Sequence, residues 1–332
     1  MDKKEINQDL VDAFKPTKAG SPSSANFVEP NVVLETPSEP IKQHNPLQQY
    51  FRKPAIYIKL PSGGKFNAPG DIDIPENGEL AVYPMTAKDE ILLRTPDALM
   101  NGATTVQVIE SCVPAVKNAW KVCSLDIDML LISLRIASYG EITNVKGICP
   151  DCGTESNYEL DLRTITDKVG MAKFNSNLDL EGLKIKFAPL TYETATKEAL
   201  KNFEQQRMVQ SVTNDDSGQV EDRISRFQDA FVRLTMFSVA ILAETIRSIT
   251  TPEGTVVTDR DQISEFVANS DHKIFNAIKQ HLETEKTNTT IPPLNFKCTG
   301  EIVMPDEEVG QGKPCTREWK QPFTIDNSSF FA

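Results

Sequence analysis

Two cysteines at two-residue spacing, in Cys149-Pro150-Asp151-Cys152-Gly153, constrain this chain more than any other feature. Thiolates so placed point at one metal ion from a tight knuckle, and the glycine relieves backbone crowding. A tetrahedral zinc ion takes four soft or borderline ligands. The other candidates far down the chain are Cys298 and Cys315, both in turn-rich sequence. We read Cys149, Cys152, Cys298 and Cys315 as one site. Each knuckle has strand-like neighbours: Tyr158 to Leu162 after the first, Leu294 to Phe296 before Cys298, and Trp319 to Phe323 after Cys315. This is a zinc-ribbon arrangement, except that sixteen residues separate Cys298 from Cys315 where a second two-residue spacing is usual.

Two other readings of the knuckle compete, a redox dithiol and a metal-free pair held by packing. A redox pair usually sits where a strand meets a helix N-terminus, which lowers the thiol pKa. Here the pair is expected to follow a helix and lead into a strand. The residue types leave an iron–sulfur cluster on the same four thiolates open. Four thiolates leave no position for water or substrate, so the zinc is expected to be structural, joining segments nearly 150 residues apart. Cys112 and Cys123 match neither knuckle and read as buried free thiols.

Acidic residues outnumber basic ones 47 to 35, a net charge of -12, which opposes nucleic-acid binding because phosphate neutralisation needs a basic face. The most apolar segment, Phe237 to Leu242, lies between Arg233 and Glu244 and is far too short for membrane insertion. The first residues, Met1-Asp2-Lys3-Lys4-Glu5-Ile6-Asn7, lack the pattern of a signal peptide, so a reducing compartment is expected.

The fold class expected is α+β: an N-terminal extended tail, a small β module, helical bundle segments and a zinc-ribbon-like module closed by distant cysteines. Residues 1–50 are rich in Pro, Ser, Asn, Lys and Glu and read as a flexible or partner-docking tail, with Phe27, Val32 and Leu34 as apolar anchors. In residues 51–84 the alternation Ile56, Ile58, Leu60, the break at Ser62-Gly63-Gly64 and the run Leu80 to Tyr83 indicate paired strands.

Residues 85–145 read as helical. Thr86 with Asp89 forms a capping pattern that Thr95-Pro96-Asp97 repeats, and Ser124 caps a helix running through Tyr139 with one inward apolar face and a stop at Gly140. Residues 146–190 and 291–332 form the zinc-ribbon-like module. Residues 191–290 form a helical insertion. Its helices are Thr191 to about Val212, Val220 to Ile249 with Ile224, Phe227, Phe231, Leu234, Ile241 and Thr245 on one stripe, one from Asp259 or Ser264, and one capped by Ser270.

Catalytic patterns are not found in the sequence. The three histidines, His44, His272 and His281, accompany no nucleophile, and phosphate loops, zinc-protease helices and nucleophile elbows do not occur. Asp126 with Asp128, and Asp71 with Asp73, read as ordinary surface charge. The chain is therefore expected not to be an enzyme.

The stretches Tyr83 to Gly102, Ser111-Cys112-Val113-Pro114, Asp126 to Gly140, Cys149 to Gly153 and Phe323 to Phe331 resemble the baseplate hub subunit family of T-even-like contractile-tailed bacteriophages, over about half the chain. The resemblance implies a structural component of the tail baseplate hub. It implies placement in the virion after assembly in the host cytoplasm, and contacts with other baseplate hub and tail proteins, with self-association left open. The alternative role is a transient assembly chaperone of the hub that is absent from the mature particle.

Overall fold

The computed structural model describes residue 47 and residues 50–94, 102–214, 220–302, 313–323, 325 and 330–331. The leader with Phe27, Val32, Leu34 and His44, and the capping pattern at Thr95-Pro96-Asp97, lie outside them. Two units are distinguished, Met1–Phe51 and Arg52–Ala332. Of the first, Leu47, Tyr50 and Phe51 are described, and all three are exposed.

The second unit opens with β1 (Ile56–Ile58), paired antiparallel with β2 (Leu80–Val82) in the register Ile56↔Val82 to Ile58↔Leu80. Helix α1 (Ala87–Leu93) follows. Thr86 closes its capping box, accepting from the Asp89 amide at 3.3 Å while Asp89 accepts from the Thr86 amide at 2.8 Å. Helix α2 (Ala103–Cys112) and one 3-10 turn lead to α3 (Ser124–Tyr139). Gly140 ends α3 at φ 89, a left-handed backbone that suits glycine. The residue preceding α3 is Cys123, and no side chain caps the helix; Ser124 is already inside it. Nor is α3 apolar on one face alone. Met129 and Ile132 are buried along with Ile127, Leu130 and Leu134, because a helix apolar all round packs as a central rod.

Around α3 lies the larger core, where Leu80, Val82, Leu93, Ile109 and Leu162 meet Phe330 and Phe331 from the C-terminus. Next come β3 (Ile142–Ile148), β4 (Glu155–Asp161), α4 (Arg163–Met171), β5 (Asn177–Leu180) and β6 (Leu183–Phe187). Helices α5 (Tyr192–Asn214) and α6 (Val220–Thr245) are long and pack against each other. The side chains of Ile224, Phe227, Phe231 and Leu234 lie outside the described set.

Helix α6 stops at Thr245, short of the expected Ile249. Residues Ile246–Thr250 instead form β7, which pairs with β6 and with β8 (Val256–Val257) in a sheet of order β5-β6-β7-β8. The β-branched Ile246, Ile249 and Thr250 suit a pleated surface, and Ile185↔Ile249 and Lys184↔Thr250 fix the register. The insertion expected to be helical thus carries two strands. Helices α7 (Arg260–Asn269) and α8 (His272–Thr289) cover this sheet, burying Ile263, Val267 and Ile278 against Ile185, Phe187 and Ile246. Asp259 caps α7, accepting from Gln262 at 3.0 Å. Asp271, rather than Ser270, caps α8, accepting from Ile274 at 2.8 Å, while Ser270 closes the end of α7 by donating to the Val267 carbonyl.

The chain then returns through β9 (Leu294–Lys297), β10 (Glu301–Ile302), β11 (Lys313–Pro314) and β12 (Glu318–Gln321). The fold is α+β, mixing helices with small antiparallel sheets. Among the described residues no helix is long and apolar enough to cross a membrane.

Candidate metal centre

The hairpin β3–β4 pairs from Ile142↔Asp161 to Ile148↔Glu155, and its turn carries Cys149 and Cys152. The knuckle therefore lies between two strands. The alternation of residues 142–148 marks β3, so the expected approach from a helix is displaced by one strand. Inside the turn the Gly153 amide donates to the Cys149 carbonyl at 2.9 Å and the Cys149 amide to the Thr154 carbonyl at 3.0 Å. Gly153 has φ 70, where a Cβ is strained, which is the crowding its glycine relieves.

The second knuckle is built by chain return. Strand β9 pairs with β12 in the register Lys297↔Glu318 and Phe296↔Trp319. Beyond that ladder the Cys298 amide donates to the Arg317 carbonyl and the Cys315 amide to the Gly300 carbonyl, both at 2.9 Å. Strands β10 and β11 extend it through Glu301↔Pro314 and Ile302↔Lys313. The sixteen residues that depart from a ribbon spacing thus leave and return through one antiparallel pairing, which sets Cys298 beside Cys315.

Aromatic packing locks the hairpins together. Phe296 stacks on Trp319 at 5.6 Å between centroids, and Tyr158 meets Phe296 edge-on at 4.7 Å. The Tyr158 hydroxyl donates to the Lys297 carbonyl at 2.7 Å. All three rings close over Gly147, where an added Cβ would lie 3.0 Å from Phe296, 3.1 Å from Tyr158 and 3.2 Å from Trp319. Gly300 likewise leaves room for the Thr154 side chain. Gly147, Thr154 and Gly300 escaped the sequence reading, because their role arises only once the hairpins face each other.

The four sulfurs converge. Cys149 and Cys315 are 3.8 Å apart, Cys152 and Cys298 are 3.4 Å apart, and all four lie within 4.8 Å of one another. A disulfide needs about 2.05 Å, so these are free thiols. Sulfurs at about 2.3 Å from one ion at tetrahedral angles sit about 3.8 Å apart. The group therefore has the spacing of a four-sulfur metal site. Cys149, Cys298 and Cys315 are buried and Cys152 is half-buried.

The electrostatics point the same way. Hydrogen bonding with the Thr154 side chain, 3.2 Å away, and with its backbone pulls the Cys152 thiol down to about 6. The Gly300 amide, 3.3 Å from the Cys298 sulfur, also favours its thiolate. Burial and the sulfurs of Cys152 and Cys149 outweigh that amide and push Cys298 up to about 12. Cys315 is raised as well: the Arg317 amide pulls it down, but burial and the sulfurs of Cys149 and Cys152 prevail. Without a cation one thiolate forms easily and its neighbours resist; a divalent ion removes that resistance.

Cys112 and Cys123 stay apart from this group, Cys112 in the larger core and Cys123 buried at the start of α3. Burial, with Asp89 next, pushes Cys112 up to about 11, and burial, with Asp126 next, pushes Cys123 up to about 12. They are buried free thiols, as the sequence suggested. Asp126, expected on the surface, is fully buried on α3. Its carboxylate accepts from the Ser62 hydroxyl at 2.5 Å and from the Ser62 amide at 2.9 Å, fixing the turn after β1. A polar residue in an apolar helix reads as a surface position until its partner is known. Asp128 is half-buried, and burial pushes its carboxyl up to about 6.

A model of the family described as T4 bacteriophage base plate protein matches residues 53–306. The chain belongs to this family. The matched stretch runs from just before β1 into the segment after β10 and includes Cys149, Cys152 and Cys298, with Cys315 beyond it. A baseplate structural role follows, and with it a place in the phage tail among other baseplate proteins. No curated protein and no solved structure matches the chain.

Proposed function

We propose that this baseplate protein is a permanent structural subunit of the baseplate hub, without catalytic activity, whose ribbon module is closed by one zinc ion on Cys149, Cys152, Cys298 and Cys315. The observation that carries the metal reading is the convergence of four sulfurs within 4.8 Å, from hairpins joined to the rest of the chain at widely separated points. That spacing fits one ion better than an iron–sulfur cluster, in which thiolates on different irons stand further apart. Four thiolates fill a tetrahedral shell, so the metal holds structure and offers no site for substrate.

The hub assignment rests on the resemblance of Tyr83 to Gly102 and Asp126 to Gly140 to hub subunits, added to the family match over residues 53–306. A body whose distant segments are tied by a metal suits a component that bears load when the tail sheath contracts. The division into residues 1–50, 51–84, 85–145, 146–190 with 291–332, and 191–290 is proposed as the order of modules along the chain, the last with a sheet among its helices.

Mass spectrometry of purified mature particles tests the hub reading. A fixed ratio of this chain to tail proteins is expected. Absence from particles, with abundance in infected cells, would replace it with the transient assembly chaperone. Elemental analysis tests the metal: one zinc per chain is expected in the wild type, and loss of it in both Cys149→Ser and Cys298→Ser.

A further inference from the structure

Both close sulfur contacts run across the module. Cys152 faces Cys298 at 3.4 Å and Cys149 faces Cys315 at 3.8 Å, so each pair joins one hairpin to the other. Cys152 alone among the four is half-exposed, whereas Cys149, Cys298 and Cys315 are buried. An oxidant arriving from solvent therefore meets Cys152 first, with Cys298 already against it.

We propose that the site is a staple with two chemical forms: zinc tetrathiolate in reducing surroundings and, after a peroxide attacks, a disulfide from Cys152 to Cys298 that keeps the hairpins joined as zinc leaves. The proposal rests on the zinc reading for its first form only. The Cys152 thiolate attacks one peroxide oxygen; a sulfur–oxygen bond forms, the oxygen–oxygen bond breaks, and hydroxide leaves as water after taking a proton. The Cys298 thiolate then displaces the oxygen from that sulfenic sulfur. A sulfur–sulfur bond forms, a second hydroxide leaves as water, and two electrons have passed from the sulfur pair to the peroxide. Zinc, with two of its four ligands gone, is released. Cys149 and Cys315 can repeat the reaction with a second peroxide.

Geometry sets this apart from ordinary knuckle oxidation. A Cys149–Cys152 disulfide would close a small loop inside one turn and leave the hairpins untied, because Cys298 and Cys315 would remain on the other strand pair. The cross-hairpin pairs preserve the ring packing of Tyr158 against Phe296 and Trp319, which sits under either form of the staple.

The experiment is titration of the purified full chain with hydrogen peroxide. Zinc release is followed with a chromogenic chelator, and cystine peptides are mapped by mass spectrometry. Expected is the loss of two thiols for each zinc released, with Cys152 linked to Cys298 as the first cystine. Dominance of a Cys149–Cys152 cystine, sulfinic acid at Cys152 without a cross-hairpin cystine, or retention of zinc and all thiols would each overturn the proposal. If the purified chain carries no zinc, the metal reading fails. The two-form staple then falls with it, and the cystine map decides only whether the cross-hairpin disulfide forms, because it reads which sulfurs pair.

Discussion

Single positions in the ribbon are constrained by what faces them rather than by their own conformation. Gly147 lies within a strand, where any residue is conformationally acceptable, yet three aromatic rings stand 3.0 to 3.2 Å from the Cβ it lacks. Gly147→Val should destabilise the chain by about 1–3 kcal/mol through overpacking, seen as a lower urea midpoint. An unchanged midpoint would mean the rings shift freely. Asp128 gives a prediction of opposite sign. Burial pushes its carboxyl up to about 6, so the folded state holds the proton more tightly than the unfolded state does. Its stabilising protonation is complete below the ordinary aspartate range and is lost as pH rises through about 6, leaving a charged, partly desolvated carboxylate at neutral pH. Asp128→Asn should therefore raise stability at pH 7 by on the order of 1–3 kcal/mol and flatten the pH dependence between pH 4 and 6. Thermal midpoints from pH 4 to pH 7 check both.

At the scale of elements, what could be read from the sequence divides by the range of the forces involved. The start of α1 and the stop of α3 were legible because Thr86 with Asp89 and the positive-φ Gly140 act within one turn. The Cys149–Cys152 knuckle was legible for the same reason. Strand β7 was not, because Ile246–Thr250 continues the apolar run of α6, and its partner β6 lies far upstream, on the other side of both long helices. The assembly of Cys298 with Cys315 was inferred by elimination, and β10–β11 supplies the missing reason. If that pairing is sufficient, replacing residues 303–312 with an Asn-Gly turn should leave one metal ion bound per chain. Loss of metal with the fold intact would show that the segment itself is needed. The C-terminus offers a second element-scale test. Phe330 and Phe331 are buried beside α3, and the Arg135 side chain donates to the Phe330 carbonyl at 2.9 Å. Phe330→Ala should cost about 3–5 kcal/mol, measured by chemical denaturation, and a cost below about 1 kcal/mol would mean the segment is not docked in solution.

Across the whole molecule, the described residues of 52–332 hold separate apolar cores and one sulfur cluster, and these should not respond alike to removal of the proposed metal. The ribbon has little apolar material of its own: three buried cysteines with Cys152 and Trp319 packed against them, and the Tyr158 and Phe296 rings beside Trp319. Modules of that kind depend on the metal, whose binding free energy is folding free energy. The cluster around Ile185, Phe187, Ile246 and Ile278 is a conventional core, closed by α7 and α8, and contains no sulfur ligand. A strong chelator under reducing conditions should therefore speed amide hydrogen exchange in β3, β4, β9 and β12 while β6 and β7 keep their protection. The C-terminal segment tests how far the effect travels. It reaches Phe330 directly from β12, but its anchor is the α3 core and Arg135, so Phe331 should stay protected when the ribbon opens. Simultaneous loss of protection in the ribbon, the β6–β7 sheet and the C-terminus would show instead that the proposed metal closes a single cooperative unit and supports the whole body rather than one module.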